Sequence, residues 1–253
     1  MEPSFTRRGA LLVPSPVARS PWSDDTVNGH HIAGLCAWGV ERDHHDDELQ
    51  LARLTIDMFR PVPMKPLAIA TKVVRAGRRL RVVDVSILDG DLEVTRGSVL
   101  QLRRGPRPTN AGWAPEEWDM PDPETFPSQP SDRISWEIRL DRPYGNGRGR
   151  VWLREQVPFV AGEELQPTVR AALCADFANP LANSGPSGLD NINADLSFNL
   201  VRDPVGEWIG MEAVGHLGVD GVSSGSAWMY DREGRIGIAT VSGITDGRLR
   251  SGS

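Results

Sequence analysis

The sequence predicts an α+β protein made of two tandem domains, each a helix followed by an antiparallel sheet. Three observations carry this prediction. The phrase LTIDMFRPV, from Leu54 to Val62, returns as LSFNLVRDPV, from Leu196 to Val205. Upstream of each lies a second echo, LCAWG from Leu35 to Gly39 and LCADF from Leu173 to Phe177. Between the copies runs a Pro-rich stretch, Gly105 to Arg133, with PRP, AP, MPDP, FP and QP and little periodicity. Matching order, matching element type and an intervening linker read as a tandem duplication. The domains are then 1–104 and 134–253. The connector, 105–133, is expected to wrap over a surface, anchored by Trp113, Trp118 and Phe126.

Taken in order, LLVPSP is the least distinct of the opening strands. NGHHIAGLCAWGVERD follows, with Ile32, Leu35, Cys36, Gly39 and Val40 at the spacing of one helical stripe, and Asn28 is its expected N-cap. LARLTIDMFRPV, LAIATKVVRAG, RLRVVDVSILDGD and LEVTRGSVLQLRR alternate as strands, with turns at Ala76-Gly77 and Asp89-Gly90-Asp91. In the second copy RISWEIRLD and RVWLREQV open as strands, and PTVRAALCADFANPLA reads as a single helix. DNINADLSFNLVRDPV, GEWIGMEAVGHLG, VSSGSAWMYDRE and RIGIATVSGI then complete the sheet. The LCA phrases stand 138 residues apart and the strand phrases 142, so the second helix-to-strand connection is the longer.

Composition narrows the function. A net charge of −6 argues against a nucleic-acid partner, which needs a basic face. The basic run RAGRRLR, Arg75 to Arg81, reads as a turn and the solvated face of a strand. Cys36 and Cys174 sit in apolar surroundings and suggest neither a disulfide framework nor a metal site. No signal-like start and no apolar run long enough to span a bilayer is seen, so a cytoplasmic protein is expected.

Candidate chemistry lies in two places. Asn28-Gly29-His30-His31 opens a helix whose N–H groups and dipole favour an anion, and Gly29 would let a ligand come close to the main chain. On the second helix Asp176 shares a side with Leu173, Phe177 and Pro180, so its carboxylate lies beside an apolar stripe. Burial there would raise its pKa, which suits a general base. Its counterpart in the first copy is Trp38, which cannot take a proton, so one competent centre is expected. The segment from Asn191 to Asn199 alternates as one strand. Asn191, Asn193, Asp195, Ser197 and Asn199 point one way, and Ile192, Ala194, Leu196 and Phe198 the other.

Together, ARSPW, NGHHIAG, LTIDMFRPVP, VVRAGRRLRVVDVSI, RVWLRE, ADFANP, INADLSFNLVRDPVGEW and YDREGRIGIAT resemble the type II acyl-CoA thioesterase family, from about Val17 to Ile244. The resemblance implies a double hotdog, two helix-plus-sheet units sharing one continuous sheet, with the thioester held between the helices. It implies hydrolysis of an acyl-CoA or carrier-bound acyl thioester and a role in fatty acid metabolism. No cofactor, metal or nucleic acid enters, and a homodimer or higher homo-oligomer is expected. The catalytic group is then Asp176 with Asn191 and Asn193. Asn28, Gly29, His30, His31, Trp38 and Ser242 are expected at the substrate.

The chain departs from the family pattern at several points. Asn28 stands where many relatives carry His. Asn191 stands where better-known members have Thr, and Asn193 where they have Asp. Ser242, or Val241 if the strand shifts by one, replaces a Gln. These changes leave two alternatives in play. One is a hotdog dehydratase or cyclase pairing His30 or His31 with Asp176. The other is a protein that binds acyl thioesters without turnover.

Overall fold

The computed structural model describes residues 1–245 apart from 107–108, 111, 130–134, 144 and 146–147. Parts of the expected connector and of the RISWEIRLD strand therefore lie outside the described residues. Among those described, two helical regions lie against one antiparallel sheet of 14 strands. The first copy supplies β1 (Phe5–Arg8), β2 (Leu11–Pro14), α1 (Gly29–His44), β3 (Leu49–Met58), β4 (Leu67–Ala76), β5 (Leu80–Asp89) and β6 (Leu92–Arg103). After β7 (Ser128–Gln129) come β8 (Trp136–Arg142), β9 (Arg150–Glu155), α2 (Pro167–Ala175) and α3 (Ala178–Asn183). β10 (Asn191–Asn193), β11 (Asp195–Leu200), β12 (Ile209–Val219), β13 (Val222–Asp231) and β14 (Gly234–Thr245) finish the sheet.

The strand order is β1-β2-β4-β5-β6-β3-β11-β14-β13-β12-β9-β8-β7, with β10 also on β14. Its centre is the pairing of the two echoed phrases themselves. Leu54 faces Phe198, Thr55 faces Ser197 and Ile56 faces Leu196 across the β3–β11 ladder. Going outward, each half continues with its last strand, its hairpin partner and so on, the arrangement of a duplicated unit joined edge to edge. The hairpins close on the residues their turns require. Gly90 has φ 61° between β5 and β6, and Asp220 and Gly221 have φ 52° and 81° between β12 and β13.

Three local expectations change. First, α1 is not an amphipathic surface helix, for every residue from His30 to Val40 is buried. It packs on β4, β5 and α2 at once, which leaves that stretch no wet face, and only its last turn, from Glu41 to His44, reaches solvent. Second, the second-copy helix is broken at Asp176-Phe177. Pro180 has no N–H to offer the carbonyl four residues back, and its ring crowds that carbonyl. The Asp176 oxygen accepts from Asn179 N–H instead, at 3.2 Å.

Third, the strand from Asn191 to Asn199 is not continuous. Asn193 pairs with Gly243 and Ser197 with Thr240, so one extra residue is absorbed around Ala194. This bulge reverses the alternation. Asn191 is therefore buried on the side that carries Leu196, Phe198 and Leu200, while Ile192 is exposed.

The connector anchors differ as well. Trp118 is fully buried, 5.1 Å from Trp152 and 5.6 Å from Tyr230, in a second small core with Trp208. Phe126 packs against it, but Trp113 is 90% exposed and anchors nothing.

Candidate active site at the start of the first helix

The helix break sets Asp176 opposite the beginning of α1. A methyl group placed on Gly29 would lie 2.8 Å from Asp176 Oδ2 and 3.0 Å from Oδ1. Only a glycine lets the carboxylate and the first turn approach this closely. The N-cap Asn28 is extended (φ −68°, ψ 145°), but its side chain makes no capping hydrogen bond. The first turn thus keeps N–H donors at its mouth.

Asn193 Nδ2 donates to Asp176 Oδ1 at 3.0 Å. Burial pushes the Asp176 pKa up to about 6, and the Asn193 hydrogen bond only partly offsets it. A carboxylate with that pKa is ionised at neutral pH yet basic enough to take a proton, which is what a general base requires.

The other expected residues divide. Asn191 is buried near the same wall, where its Oδ1 accepts from Thr245 Oγ1 at 3.3 Å. His30 and His31 are not exposed at the helix entry but buried, their rings 3.9 Å apart. His30 Nε2 shares a hydrogen bond with Ser135 Oγ (3.2 Å) and His31 Nε2 with Ser4 Oγ (2.9 Å). Burial, with the neighbouring His31, holds His30 well below the usual imidazole pKa. Burial lowers His31 to about 3. Both are neutral, and neither bonds Asp176. Ser242 is exposed on the face of β14 opposite Val241 and Gly243, so it is not brought to Asp176. Alternation alone could not say which residue of this late strand faces inward, because β14 itself takes up an extra residue between Arg235 and Gly237.

Trp38 is the equivalent of Asp176 at the 138-residue offset, and Pro167 is the equivalent of Gly29. At this twin position Trp38 Nε1 donates to Glu163 Oε2 at 2.7 Å, and Arg42 lies 4.7 Å over its ring. A tryptophan and a proline thus replace the carboxylate and the open glycine. A bulky ring fills the space, and the first helical position has lost its N–H.

A cleft of about 610 Å³ opens near the α1 entry, lined by Arg19, Trp22, Asp24, Ser135 and Gln156 among others. It reaches Ser135, the partner of His30, but Asp176 is not in its lining. Two features escaped sequence reasoning. Glu155, paired with Trp136, is half-buried, and its pKa is raised by desolvation to about 7. Asn179, Asn183 and His216 extend the hydrogen bonding behind Asn193. The i, i+4 spacing of the two asparagines was the available signal for the latter.

The fold is a double hotdog, and among its described residues the Asp176–Asn193 pair lies against the start of α1. Residues 18–102 match the model of the acyl-CoA thioesterase N-terminal domain, and residues 107–241 match that of the C-terminal domain. The chain belongs to this acyl-CoA thioesterase family. Solved structures agree on the fold. A protein of Novosphingobium aromaticivorans, provisionally described as a thioesterase, is 18% identical, with a TM-score of 0.76 over 98% of this chain and 100% of that one. The tesB protein of Mycobacterium avium subspecies paratuberculosis is 14% identical, with a TM-score of 0.73 over 96% of each chain. The acyl-CoA thioesterase II of Mycobacterium marinum is 14% identical, with a TM-score of 0.66 over 86% of this chain and 90% of that one. No curated protein matches the sequence. No helix among the described residues is long and apolar enough to cross a membrane.

Proposed function

We propose that this chain hydrolyses the thioester of an acyl-CoA or of a carrier-bound acyl chain, with Asp176 as the base that activates water. One observation carries the reading: the Asp176 carboxylate lies against the opening turn of α1 while Asn193 holds it by a hydrogen bond. In this mechanism Asp176 takes a proton from water as the water oxygen attacks the carbonyl carbon. The carbonyl oxygen becomes an oxyanion and accepts hydrogen bonds from N–H groups at the start of α1. Collapse of the adduct breaks the C–S bond, and the departing thiolate recovers the proton. Asn193 aims the carboxylate, and Asn191 belongs to the polar wall beside it. The family's Thr and Gln have no counterparts here, so the water is positioned by the carboxylate and the asparagines.

The test is release of free thiol, followed with a thiol-reactive dye, across acyl-CoA esters of increasing chain length and an acyl-carrier thioester. Turnover of at least one of them is expected. Saturable binding of every ester without thiol release would make the protein a carrier or sensor and end the hydrolase reading. Hydration of an enoyl thioester has less support, because His30 and His31 are bonded to serines and not to Asp176. From the family alone, the proposal extends to a cytoplasmic homo-oligomer working in fatty acid metabolism.

Gly29→Ala probes the helix start. Its methyl group would displace the carboxylate, and misplacing a reacting group by this much costs about 100-fold in kcat/KM. The melting temperature should change little. Wild-type kcat/KM in a folded Gly29→Ala protein would detach α1 from the chemistry.

A further inference from the structure

Behind Asn193 the hydrogen bonds form a chain with a single direction. His216 Nδ1 lies 2.7 Å from Asn183 Oδ1. Asn183 Nδ2 donates to Asn179 Oδ1 at 2.9 Å. Asn179 Nδ2 reaches Asn193 Oδ1 at 3.5 Å and the Asn191 carbonyl at 3.4 Å. Asn193 Nδ2 donates to Asp176. Donor and acceptor chemistry fixes this order. An ionised carboxylate only accepts, so Asn193 must turn its NH₂ toward Asp176. Its oxygen then faces Asn179, which must present its own NH₂, and the same holds for Asn183. The last amide oxygen demands a hydrogen on His216 Nδ1. Every donor points at Asp176.

We infer that Asn179, Asn183 and His216 are positioning residues, which lock the Asn193 amide in its donor orientation and so favour the ionised form of Asp176. The inference rests on Asp176 being the base proposed above, but it concerns a property of the resting protein. Two buried asparagines on a helix of six residues are otherwise costly, since each amide must find partners away from water. Satisfying one another in file explains their presence. Gly225, opposite His216 on β13, completes the device. A methyl group there would lie 2.7 Å from Asn183 Oδ1, so the strand leaves room for the amide.

Other titratable groups stand on the packed elements. His30 and His31 on α1 are held neutral, Glu155 on β9 has its pKa raised by burial to about 7, and Asp195 on β11 accepts from the Ser242 N–H. Glu212 on β12 and Tyr230 and Asp231 on β13 bond one another or Arg202 rather than the asparagines. Asn183 and Gly225, which stand across from His216, do not titrate.

The experiment is a pH titration of the Asp176 side-chain carbon by NMR in protein labelled at aspartate, the signal being assigned by its loss in Asp176→Asn. In Asn183→Ala the midpoint should rise by about half a unit to one unit, as expected for loss of a hydrogen bond to the charged form. His216→Ala, at an exposed strand position, should produce a smaller rise in the same direction. The acid limb of kcat/KM should follow the same shift while KM stays constant. Midpoints equal to wild type in His216→Ala and in folded Asn183→Ala overturn the inference. Because the titration needs no turnover, that result is distinct from the hydrolase reading failing for want of thiol release.

Discussion

Asp176→Asn is expected to abolish thiol release and to make the protein more stable above pH 6. Loss of a general base costs about 10²–10⁴-fold in rate, and asparagine cannot accept the proton. The stability gain follows from the direction of the pKa shift. Unfolded, this carboxyl titrates near 3.8; folded, burial raises it to about 6. Between those values the folded state binds more protons, so stability falls as pH rises from about 4 to about 6, then stays level. A two-unit shift corresponds to about 2–3 kcal/mol above pH 6. Asparagine carries no such penalty and can still accept from Asn193. Urea denaturation at pH 8 and at pH 3.5 checks this: the variant should be the more stable at pH 8 and equal at pH 3.5. Equal stability at both values would mean the carboxylate is well solvated, and the argument for a tuned base would fail.

The largest expected loss of stability comes from Asp231→Ala. Asp231 is fully buried at the end of β13 and receives a two-pronged ion pair from Arg202. Two backbone N–H groups, of Val205 and Glu233, also donate to it, each at 2.8 Å. Burial pushes its pKa up, but the Arg202 hydrogen bonds, those N–H groups and the guanidinium charge outweigh burial and hold it below the usual range. Alanine strands the arginine and two amides, a loss of about 3–5 kcal/mol. The native contribution is present above the unfolded pKa of about 3.8 and is lost as pH falls through the lower folded value. Denaturant midpoints at pH 7 read the effect. A loss below about 1 kcal/mol would reduce the pair to a surface contact.

Asp176 shows what the sequence could carry. Asp176 was legible because helical spacing sets it beside Leu173 and Phe177, and because the repeat aligns it with Trp38. The regular strands were legible for the same reason, since alternation and Gly-containing turns are local signals. Features that depend on one residue interrupting a period were not. Pro180 breaks the helix one turn after Asp176, and the extra residue at Ala194 changes which side chains of a strand look inward. The double histidine at 30–31 is expected at the substrate because it opens a helix, yet Ser4 and Ser135, each just before a strand, bond both rings in the interior. Ser242 rests on the family resemblance, with Val241 if the strand shifts by one, and a one-residue shift decides which of the two faces inward.

The irregularity at Ala194 has a consequence for how such a protein can change over time. A deletion there would act on side-chain facing as a frameshift acts on codons. Asn191 and Asn193 would rotate into solvent together, while the ladder beyond them kept its partners. Length variation at this one point is therefore a more abrupt route to a silent descendant than substitution of any single polar group.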